Sequence, residues 1–517
     1  MTYPRLSKSL LLSSSFESFQ ETGIPPPQIW DLPEKVLQFG SGRFLRAFAE
    51  KFIDRSNRSG VFNGRIVVVQ STDRKRADLL NEQNGLYTLC VRGLKQGEPI
   101  EEYSILASVS RALSANQAWE EVLECARNPD LELIISNTTE VGIVLDSDDA
   151  HELAPPRSFP GKLTAFLHER YRAFAGASDK GLVLIPCELI NNNGAKLKEI
   201  VLELAQRWKL ADQFVNWVKS ANHFCNSLVD RIVTGTPESE EVKRIQEKLG
   251  YEDRLLTVAE VYSLWAIEGD ESLKKRLHLA EVNPPVIVAN DITPYRERKI
   301  RILNGTHTIA VPLAFLLGNN TILESMQHPF ASHFIEHVMR DEIGPSLDLD
   351  PDLVRNFIEE VLQRFKNPYL KHELLDITFQ STSKMRLRVV PSIKNYYEKK
   401  KQTPPLLCLG FAFYLRFMKG VEKKEGRIFG RRDHELYLIN DDQADYFFSH
   451  WKEVNEDDKQ QVSDFVDHIC QNSRLWEINL AQLPGFSAKV AEYLIKIEDR
   501  IRHGKEPNVG MDPRDSI

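Results

Sequence analysis

A lysine, an asparagine and a histidine lie close together in the segment PYRERKIRILNGTHT, residues 294–308. Lys299 is followed by Asn304 five residues later and by His307 three residues after that. On an α-helix with ~100° per residue, Asn304 lies ~140° and His307 ~80° from Lys299, so all three can share one broad face. Such a face could combine a proton-transfer group, an amide donor for an oxyanion and a histidine that orients either.

The same three residues also have a purely structural interpretation. Lys299 could lie on a solvated face, Asn304-Gly305 could end the helix, and His307 could be a core histidine. Structural networks gather charged groups as often as active sites do. The residues upstream decide between the two interpretations.

A strand, a glycine-containing turn and a helix are predicted in residues 35–54. Val36, Leu37 and Phe39 form an apolar run, Gly40-Ser41-Gly42 forms the turn, and apolar residues recur at helical spacing from Phe44 to Ile53. Glycines let backbone approach a pyrophosphate, and a helix N-terminus favours its charge. The third glycine of the common fingerprint is replaced by Leu45, and many such corners bind nothing. The residues predicted to contact a dinucleotide here are Phe39, Gly40, Ser41, Gly42, Arg43, Phe44, Leu45 and Arg46.

The β-branched run Arg65–Gln70 supports this interpretation, since it is typical of a buried parallel strand. NAD enzymes often place Asp or Glu at the end of this strand, on the adenosine ribose. Gln70 stands there instead, with Asp73 three residues later and the cations Arg74, Lys75 and Arg76 behind it. This segment therefore leaves the choice between NAD and NADP open.

Three further strands are predicted, at Leu131–Ser136, Leu182–Pro186 and Pro285–Ala289, with helical patterns between them. This alternation favours a mostly parallel α/β sheet. Ligands bind at the carboxyl ends of such strands, so we expect Asn137 and Thr138 to contact the cofactor. The pair Asp230-Arg231 lies between apolar residues, and it is either a buried ion pair or part of the site.

After about residue 290 the pattern becomes helical, except for a strand candidate at 426–438. The predicted fold class is α/β, with a Rossmann-type N-terminal domain followed by a mainly α-helical C-terminal domain. The predicted boundaries are an N-terminal extension over 1–34, a dinucleotide-binding domain over 35–290 and a helical catalytic domain over 291–517.

Composition limits the partners of the 517-residue chain. It contains 42% hydrophobic and 27% charged residues and carries a net charge of −8 without a long basic run, so nucleic acid is not an expected partner. No apolar run reaches the ~18 residues that a membrane span needs. The six cysteines are scattered without a CxxC pair, which favours a reduced cytoplasmic compartment and no metal site. The oligomeric state is left open.

Two segments together resemble one family. The run Gln38-Phe39-Gly40-x-Gly42-x-Phe44-x-Arg46-Ala47 is similar to the N-terminal fingerprint of the polyol-specific long-chain dehydrogenases, the mannitol dehydrogenase family. Lys299-x4-Asn304-x2-His307 resembles the catalytic signature of that family. The resemblance extends from about residue 35 to about residue 500 and is strongest to the hexuronate branch. Segments that carry it include 136–140, 186–190, 228–235 and 364–369.

The resemblance implies reversible, metal-independent hydride transfer between NAD(H) and a ketose-type carbonyl. Lys299 would be the general acid and base, which requires a lysine that can give and take a proton near neutral pH. Asn304 would donate a hydrogen bond to the developing alkoxide, and His307 would bind a substrate hydroxyl.

Three departures from the mannitol enzymes bear on the substrate. Leu189 stands where they carry a second oxyanion-hole asparagine, so that Asn191 or Asn193 would have to replace it. Arg296 replaces a glutamate, and Lys384 stands where they carry an arginine. The added positive charge suits a hexuronate carboxylate better than a polyol. The predicted substrate-binding residues are Asp230, Arg296, His372 and Lys384.

Three functions remain open from the sequence. The first is a reductase for one keto-hexuronate, with Arg296 and Lys384 on its carboxylate. The second is a sister enzyme, for another keto-hexuronate or for mannitol. The third is a nucleotide-binding protein that has lost catalysis, which the complete Lys299, Asn304 and His307 set argues against.

Overall fold

The computed structural model describes residues 3–13, 22–71, 76–138, 142–235 and 237–509. The chain divides into two compact units, Met1–Ile292 and Thr293–Ile517. The first unit contains thirteen strands in its described part: β1 Thr22–Gly23, β2 Glu34–Phe39, β3 Arg65–Gln70, β4 Tyr87–Lys95, β5 Glu98–Leu106, β6 Val109–Ser114, β7 Leu133–Ser136, β8 Val183–Pro186, β9 His223–Phe224, β10 Ser227–Asp230, β11 Thr257–Ala259, β12 Leu264–Glu268 and β13 Val286–Ala289.

A six-stranded parallel sheet in the order β6-β3-β2-β7-β8-β9 forms the centre of the first unit. Its strands are buried on both faces, as expected for a parallel sheet covered by helices. Val36 and Val68 belong to the hydrophobic core on one face, and Leu37 and Val67 belong to the core on the other. The predicted Rossmann-type architecture is therefore confirmed.

The helix predicted from Phe44 to Ile53 is interrupted at residues 47–48. Tyr87 Oη donates to the Arg46 carbonyl at 2.9 Å, and Arg231 Nη1 donates to the Ala47 carbonyl at 2.6 Å. These side chains occupy carbonyls that would otherwise continue the helical ladder, so the prediction of one continuous helix was wrong. The helices of this unit are α1 Lys8–Leu11, α2 Arg43–Arg46, α3 Ala49–Arg58, α4 Arg76–Glu82, α5 Trp119–Ala126, α6 Phe159–Ala173, α7 Asn193–Arg207, α8 Asp212–Ala221, α9 Ser239–Leu249, α10 Glu271–Leu277 and α11 Leu279–Val282, with short 3₁₀ turns at Pro27–Asp31 and Ser178–Lys180.

Two smaller sheets accompany the parallel one. β4 and β5 form an antiparallel hairpin within the order β1-β5-β4-β11, which the sequence analysis did not anticipate. The predicted strand at Pro285–Ala289 exists as β13, but it pairs with β12 in a separate sheet of order β10-β12-β13. In the N-terminal segment, Leu6 and Ile29 are buried in a core that also contains residues of β4 and β5.

The second unit is mainly helical, as predicted. α13 and α21 are buried along most of their length, and Gly410 on α21 permits their contact because a Cβ there would lie 2.4 Å from Ile309 Cγ1. The helices are α12 Thr293–Arg298, α13 Thr306–Leu316, α14 Ile322–Gln327, α15 Pro329–His337, α16 Gly344–Ser346, α17 Pro351–Phe365, α18 Leu374–Ile377, α19 Ser381–Lys384, α20 Val390–Lys400, α21 Pro405–Phe417, α22 Ala444–Trp451, α23 Lys459–Gln471, α24 Ser473–Trp476 and α25 Phe486–Arg502, with a 3₁₀ turn at Leu480–Gln482.

The strand candidate at residues 426–438 corresponds to an antiparallel sheet. Its strands are β14 Glu422–Lys424, β15 Arg427–Arg432 and β16 Glu435–Leu438, in the order β14-β15-β16. This sheet is the only β-structure longer than an isolated bridge in the described part of the second unit.

Three segments of the second unit are π-helices: π1 Lys299–Gly305, π2 Val338–Ile343 and π3 Met385–Val389. A π-helix bonds each N–H to the carbonyl five residues earlier, and such segments are frequent at functional sites. The α-helical spacing assumed for Lys299 and Asn304 was therefore wrong. Because these two residues are five apart, the wider helix brings them closer to one face than an α-helix would.

Candidate active site

The glycine turn of the first unit contains two glycines with different roles. Gly40 has φ +119°, and a Cβ there would lie 2.6 Å from the Asn137 carbonyl oxygen. Gly40 is therefore required for the turn and for the approach of the segment after β7. Gly42 has an ordinary φ of −70°, and a Cβ there would meet no described atom within 4 Å. The space beside Gly42 is thus available to a ligand.

Glu188 joins the carboxyl ends of β7 and β8. Its Oε1 accepts from Thr138 N at 3.0 Å and Thr138 Oγ1 at 3.1 Å, and its Oε2 accepts from Ser136 Oγ at 3.0 Å. Asn137 Nδ2 donates to the Cys187 carbonyl at 2.7 Å. Asn137 and Thr138 are therefore fixed at the sheet edge where a cofactor was expected. The sequence analysis did not single out Glu188, although a carboxylate in a strand-end segment was a usable signal.

Several predicted cofactor residues are buried and support the turn. Phe39 and Leu45 are fully buried, and Arg46 Nη1 donates to the Ser41 carbonyl at 2.9 Å. Gln70 is also buried, and its Oε1 accepts from Ala77 N at 2.9 Å, so it anchors the start of α4. Ser41 is buried too, whereas Gly42, Arg43 and Phe44 are partly exposed.

Arginines line the side of the turn that faces α4. Arg43, Arg46, Arg76 and Arg254 contribute to a cavity of about 430 Å³, together with Asp253. Asp253 is buried and accepts from Gln83 Nε2 and Leu255 N. The predicted residues Asp73, Arg74 and Lys75 lie outside the described residues.

Asn193 is not available as a second oxyanion donor. Its Nδ2 lies within hydrogen-bond distance of the carbonyls of Pro186, Glu188 and Ser227, at 2.9, 3.1 and 3.2 Å, and its side chain is fully buried. The suggestion that Asn193 replaces the missing asparagine was therefore wrong, because its amide hydrogens already bind backbone. Asn191 is exposed, and Leu189 is 61% exposed.

Arg231 is not simply the ion-pair partner of its neighbour Asp230. Its guanidinium donates to the Ala47 carbonyl at 2.6 Å and to the Glu260 carbonyl at 2.8 Å, so it connects the end of α2 to the segment after β11. Burial lowers the pKa of Arg231 to about 10. Asp230 is buried at the end of β10. Its contact with substrate stays a prediction.

In the second unit, one continuous helical segment carries the three candidate catalytic residues. Lys299 opens π1, Asn304 lies near its end, and His307 is in the first turn of α13. Lys299 and Asn304 are half-buried, and Thr308 Oγ1 donates to the Asn304 carbonyl at 2.8 Å. Since α13 is buried throughout, these residues stand on a rigid element.

His307 is held between aromatic rings. It stacks on Phe365 with ring centroids 4.4 Å apart, and His372 meets it edge-on at 5.4 Å. His307 is only 9% exposed. Its Nε2 nevertheless has no hydrogen-bond partner among the described residues. A buried polar atom of this kind indicates a ligand or ordered water.

Cations surround His307. Burial, with His372, Arg364, Arg388 and Lys384, holds the pKa of His307 well below its usual value. Burial and Arg364 lower the pKa of His372, and burial and Arg388 lower the pKa of Lys384. The predicted residues His372 and Lys384 are thus brought together with His307. Arg364 and Arg388 were not predicted.

Arg296 lies on α12, three residues before Lys299, and is partly exposed. It is not among the groups that contribute most to the low pKa of His307. Its neighbour Arg298 lies over the rings of Tyr295 and Phe357, at 5.1 and 4.7 Å. Contact between Arg296 and substrate stays a prediction.

Within the described ranges, no group of three or more His, Cys, Asp or Glu side chains could hold a metal ion. No helix in the same ranges has the length and apolar character that crossing a membrane requires.

A Rossmann-type sheet with a glycine turn, followed by a helical unit that carries a Lys–Asn–His segment, defines the class of two-domain dehydrogenases. The model of the mannitol dehydrogenase Rossmann domain matches residues 34–281, and that of the mannitol dehydrogenase C-terminal domain matches residues 291–498. The chain belongs to the mannitol dehydrogenase family.

Relatives and a solved structure extend this result. The chain is 42% identical to altronate oxidoreductase of Bacillus subtilis (strain 168), over 90% of this chain and 93% of that protein. It is 40% identical to altronate oxidoreductase of Pectobacterium carotovorum subsp. carotovorum (strain PC1), over 90% and 95%. It shares its fold with Pseudomonas fluorescens mannitol 2-dehydrogenase, solved with NAD and D-mannitol, at a TM-score of 0.67 and 21% identity over 96% of this chain and 97% of that one.

Proposed function

We propose that this protein is an NAD-dependent oxidoreductase that interconverts D-tagaturonate and D-altronate in hexuronate catabolism. Relatives about 40% identical over nine tenths of the chain are named altronate oxidoreductase. The observation that carries the proposal is the set of cations near His307, which are Lys384, Arg364 and Arg388. A carboxylate on the substrate gives such a cluster a partner, whereas a neutral polyol does not.

NAD, which supplies and accepts the hydride, fits the glycine turn of the first unit. Gly42 leaves open space beside it. It is also the N-cap of α2, and no side chain caps the first N–H groups of that helix. The nearby residues Ser41, Arg43 and Phe44, with Asn137 and Thr138 at the end of β7, are the candidates to hold it. NAD is supported by the family neighbour that was solved with it. The arginines near α4 make NADPH the necessary comparison.

Three residues of the second unit have separate roles in the transfer of the proton and the binding of the substrate. Lys299 gives its proton to the substrate oxygen during reduction and takes it back during oxidation. Asn304 Nδ2 donates a hydrogen bond to the same oxygen as negative charge develops on it. His307 remains neutral at physiological pH, so it offers one N–H donor and one acceptor nitrogen to substrate hydroxyls.

An activity panel tests the proposal. The purified protein is assayed with D-tagaturonate, D-fructuronate and D-fructose, each with NADH and with NADPH. We expect the highest kcat/KM for tagaturonate with NADH. Preference for fructuronate or fructose would identify a sister enzyme instead, and no substrate-dependent oxidation of either cofactor would leave a nucleotide-binding protein.

Lys299→Ala is the control for a contaminating activity. We expect it to lower turnover by ~10³-fold or more, within the upper range for a general acid and base, and to leave the Kd for NADH nearly unchanged. Turnover close to that of the wild type would contradict the role of Lys299.

A further inference from the structure

The backbone of Arg388 is fixed beside the catalytic segment. A Cβ on Gly305, which lies between Asn304 and His307, would be only 3.3 Å from the Arg388 carbonyl oxygen. Arg301 on π1 also crosses to π3, where its Nη1 donates to the Leu387 carbonyl at 2.5 Å and lies 3.4 Å from the Arg388 carbonyl. Arg301 therefore bonds π1 to π3 beside Arg388, and the two backbones approach closely at Gly305.

The guanidinium of Arg388 has no hydrogen bond or ion pair within the part of the chain that the structure describes. It is partly buried, and burial alone lowers its pKa. The neighbouring cations have acceptors nearby. Lys384 Nζ donates to the Ile377 carbonyl at 2.9 Å, and Arg386 Nε lies 3.6 Å from Glu477 Oε1, in an ion pair without a hydrogen bond. A partly buried charge without a partner is costly, so the position calls for an anion.

Two carboxylates, Asp441 and Asp376, lie near these basic side chains. Asp441 faces Lys384, but its Oδ2 already accepts from Thr382 N at 2.7 Å and its Oδ1 from Gln443 N at 2.9 Å. Asp376 faces His372 and is exposed. Neither carboxylate forms a hydrogen bond or ion pair with Arg388 within the described residues, so the Arg388 guanidinium is available to a ligand.

We propose that Arg388 binds the carboxylate of the hexuronate substrate and sets the preference of the enzyme for an acidic sugar over a neutral ketose. The inference rests on the proposed function, and it names the residue that determines the class of substrate that the enzyme prefers. An arginine fork matches a carboxylate with two parallel hydrogen bonds, which a lysine cannot do. Arg388 is thus assigned the main contact. The predicted Lys384 adds positive charge near it, and the predicted His372 adds a neutral imidazole.

The test compares a charged and a neutral substrate that differ only at one terminal carbon. D-Tagatose carries a hydroxymethyl group where D-tagaturonate carries its carboxylate. Wild type, Arg388→Gln and Arg388→Lys are assayed on both with NADH, and Arg386→Gln serves as the control with the same substitution on the same π-helix. The Kd for NADH and the melting temperature are measured for each variant.

We expect Arg388→Gln to lower kcat/KM for tagaturonate by ~100-fold, since removing one partner of a buried charge pair is costly, and to leave the value for tagatose within ~3-fold. Arg388→Lys should fall between, because it keeps the charge and loses the fork. Arg386→Gln should retain the selectivity of the wild type.

An equal loss on both substrates, or no loss on either, would overturn the role of Arg388. The proposed function can fail separately. If the wild type prefers another keto-uronate, the same comparison on that uronate and its neutral ketose still decides the role of Arg388. If the wild type reduces only neutral ketoses, both the proposed function and the role of Arg388 are wrong.

Discussion

His307 is almost entirely enclosed, stacked on Phe365 and faced by cations, and it carries a nitrogen without a described partner. At the scale of single residues this combination explains how the site avoids self-repulsion. A protonated His307 would add a further positive charge to the cluster without solvent to screen it. The fold keeps the ring neutral, so that Lys299 is the group expected to exchange the proton.

Because His307 is neutral in the folded protein, the free energy of unfolding should depend on pH. A base whose folded pKa lies below the unfolded value of about 6.5 contributes stability that is complete above pH 6.5 and is lost as pH falls below it. We expect the wild type to lose about 1 kcal/mol more unfolding free energy than His307→Gln between pH 7.5 and 5.5, as one pKa unit corresponds to ~1.4 kcal/mol. Denaturant titrations at several pH values measure this difference.

His434, which is exposed, provides the control for that measurement. The profile of His434→Gln should follow the profile of the wild type. Parallel profiles for the wild type and His307→Gln would mean that His307 binds a proton as readily in the folded protein as in the unfolded chain, contrary to the effect of its burial.

The sequence suggests the candidate catalytic residues more directly than the candidate substrate contacts. Lys299, Asn304 and His307 are recognisable because their spacing is local. Arg386 and Arg388 cannot be distinguished in the sequence, where both follow Lys384 at alternate positions. Only the fold shows that one reaches Glu477 and the other lies beside Gly305, because both relations join residues more than 80 positions apart.

At the scale of elements, π1 differs most from its prediction. Apolar periodicity indicates a helix, but it does not distinguish hydrogen bonds to the fourth residue from those to the fifth. π1 packs against π3 at Arg301 and Gly305, and the residues that it contacts there are remote in sequence, so a local pattern does not reveal them. The interruption after α2 has the same origin, since Tyr87 and Arg231 take its carbonyls.

The glycine turn gives a prediction at this scale. Gly42→Val should weaken NADH binding by ~10-fold or more with the fold retained, because its side chain fills space that no protein atom occupies. Gly40→Ala is the matched contrast. It adds a Cβ against the Asn137 carbonyl at a positive φ, so it should lower stability by about 1–3 kcal/mol. Fluorescence titration with NADH and thermal unfolding separate the two effects.

An unchanged Kd for NADH in Gly42→Val would remove the dinucleotide interpretation of residues 36–47. A large loss of stability in the same variant would show that the space at Gly42 belongs to the packing of the protein instead.

At the scale of the whole molecule, the net charge opposes the charge of the site. The chain carries −8 overall, while Arg364, Arg388 and Lys384 place positive charge near His307. Charges on the far surface act through solvent and are screened beyond ~10 Å at 0.1 M salt. A carboxylate that reaches Arg388 should therefore respond to the local cations rather than to the total charge.

The salt dependence of kcat/KM shows whether the local cations near His307 or the net negative charge of the chain governs the approach of the substrate. Between ~0.1 and ~1 M NaCl the Debye length falls from ~10 to ~3 Å, so attraction at the cluster weakens while repulsion by the distant surface is already screened. We expect kcat/KM for tagaturonate to fall by ~3-fold over this range, and the value for tagatose to stay constant. Arg388→Gln should reduce the slope for tagaturonate, whereas Arg386→Gln should preserve it. A rise with salt would show that the net charge governs the approach of the substrate, and a flat line for tagaturonate would show that the carboxylate is not recognised by charge.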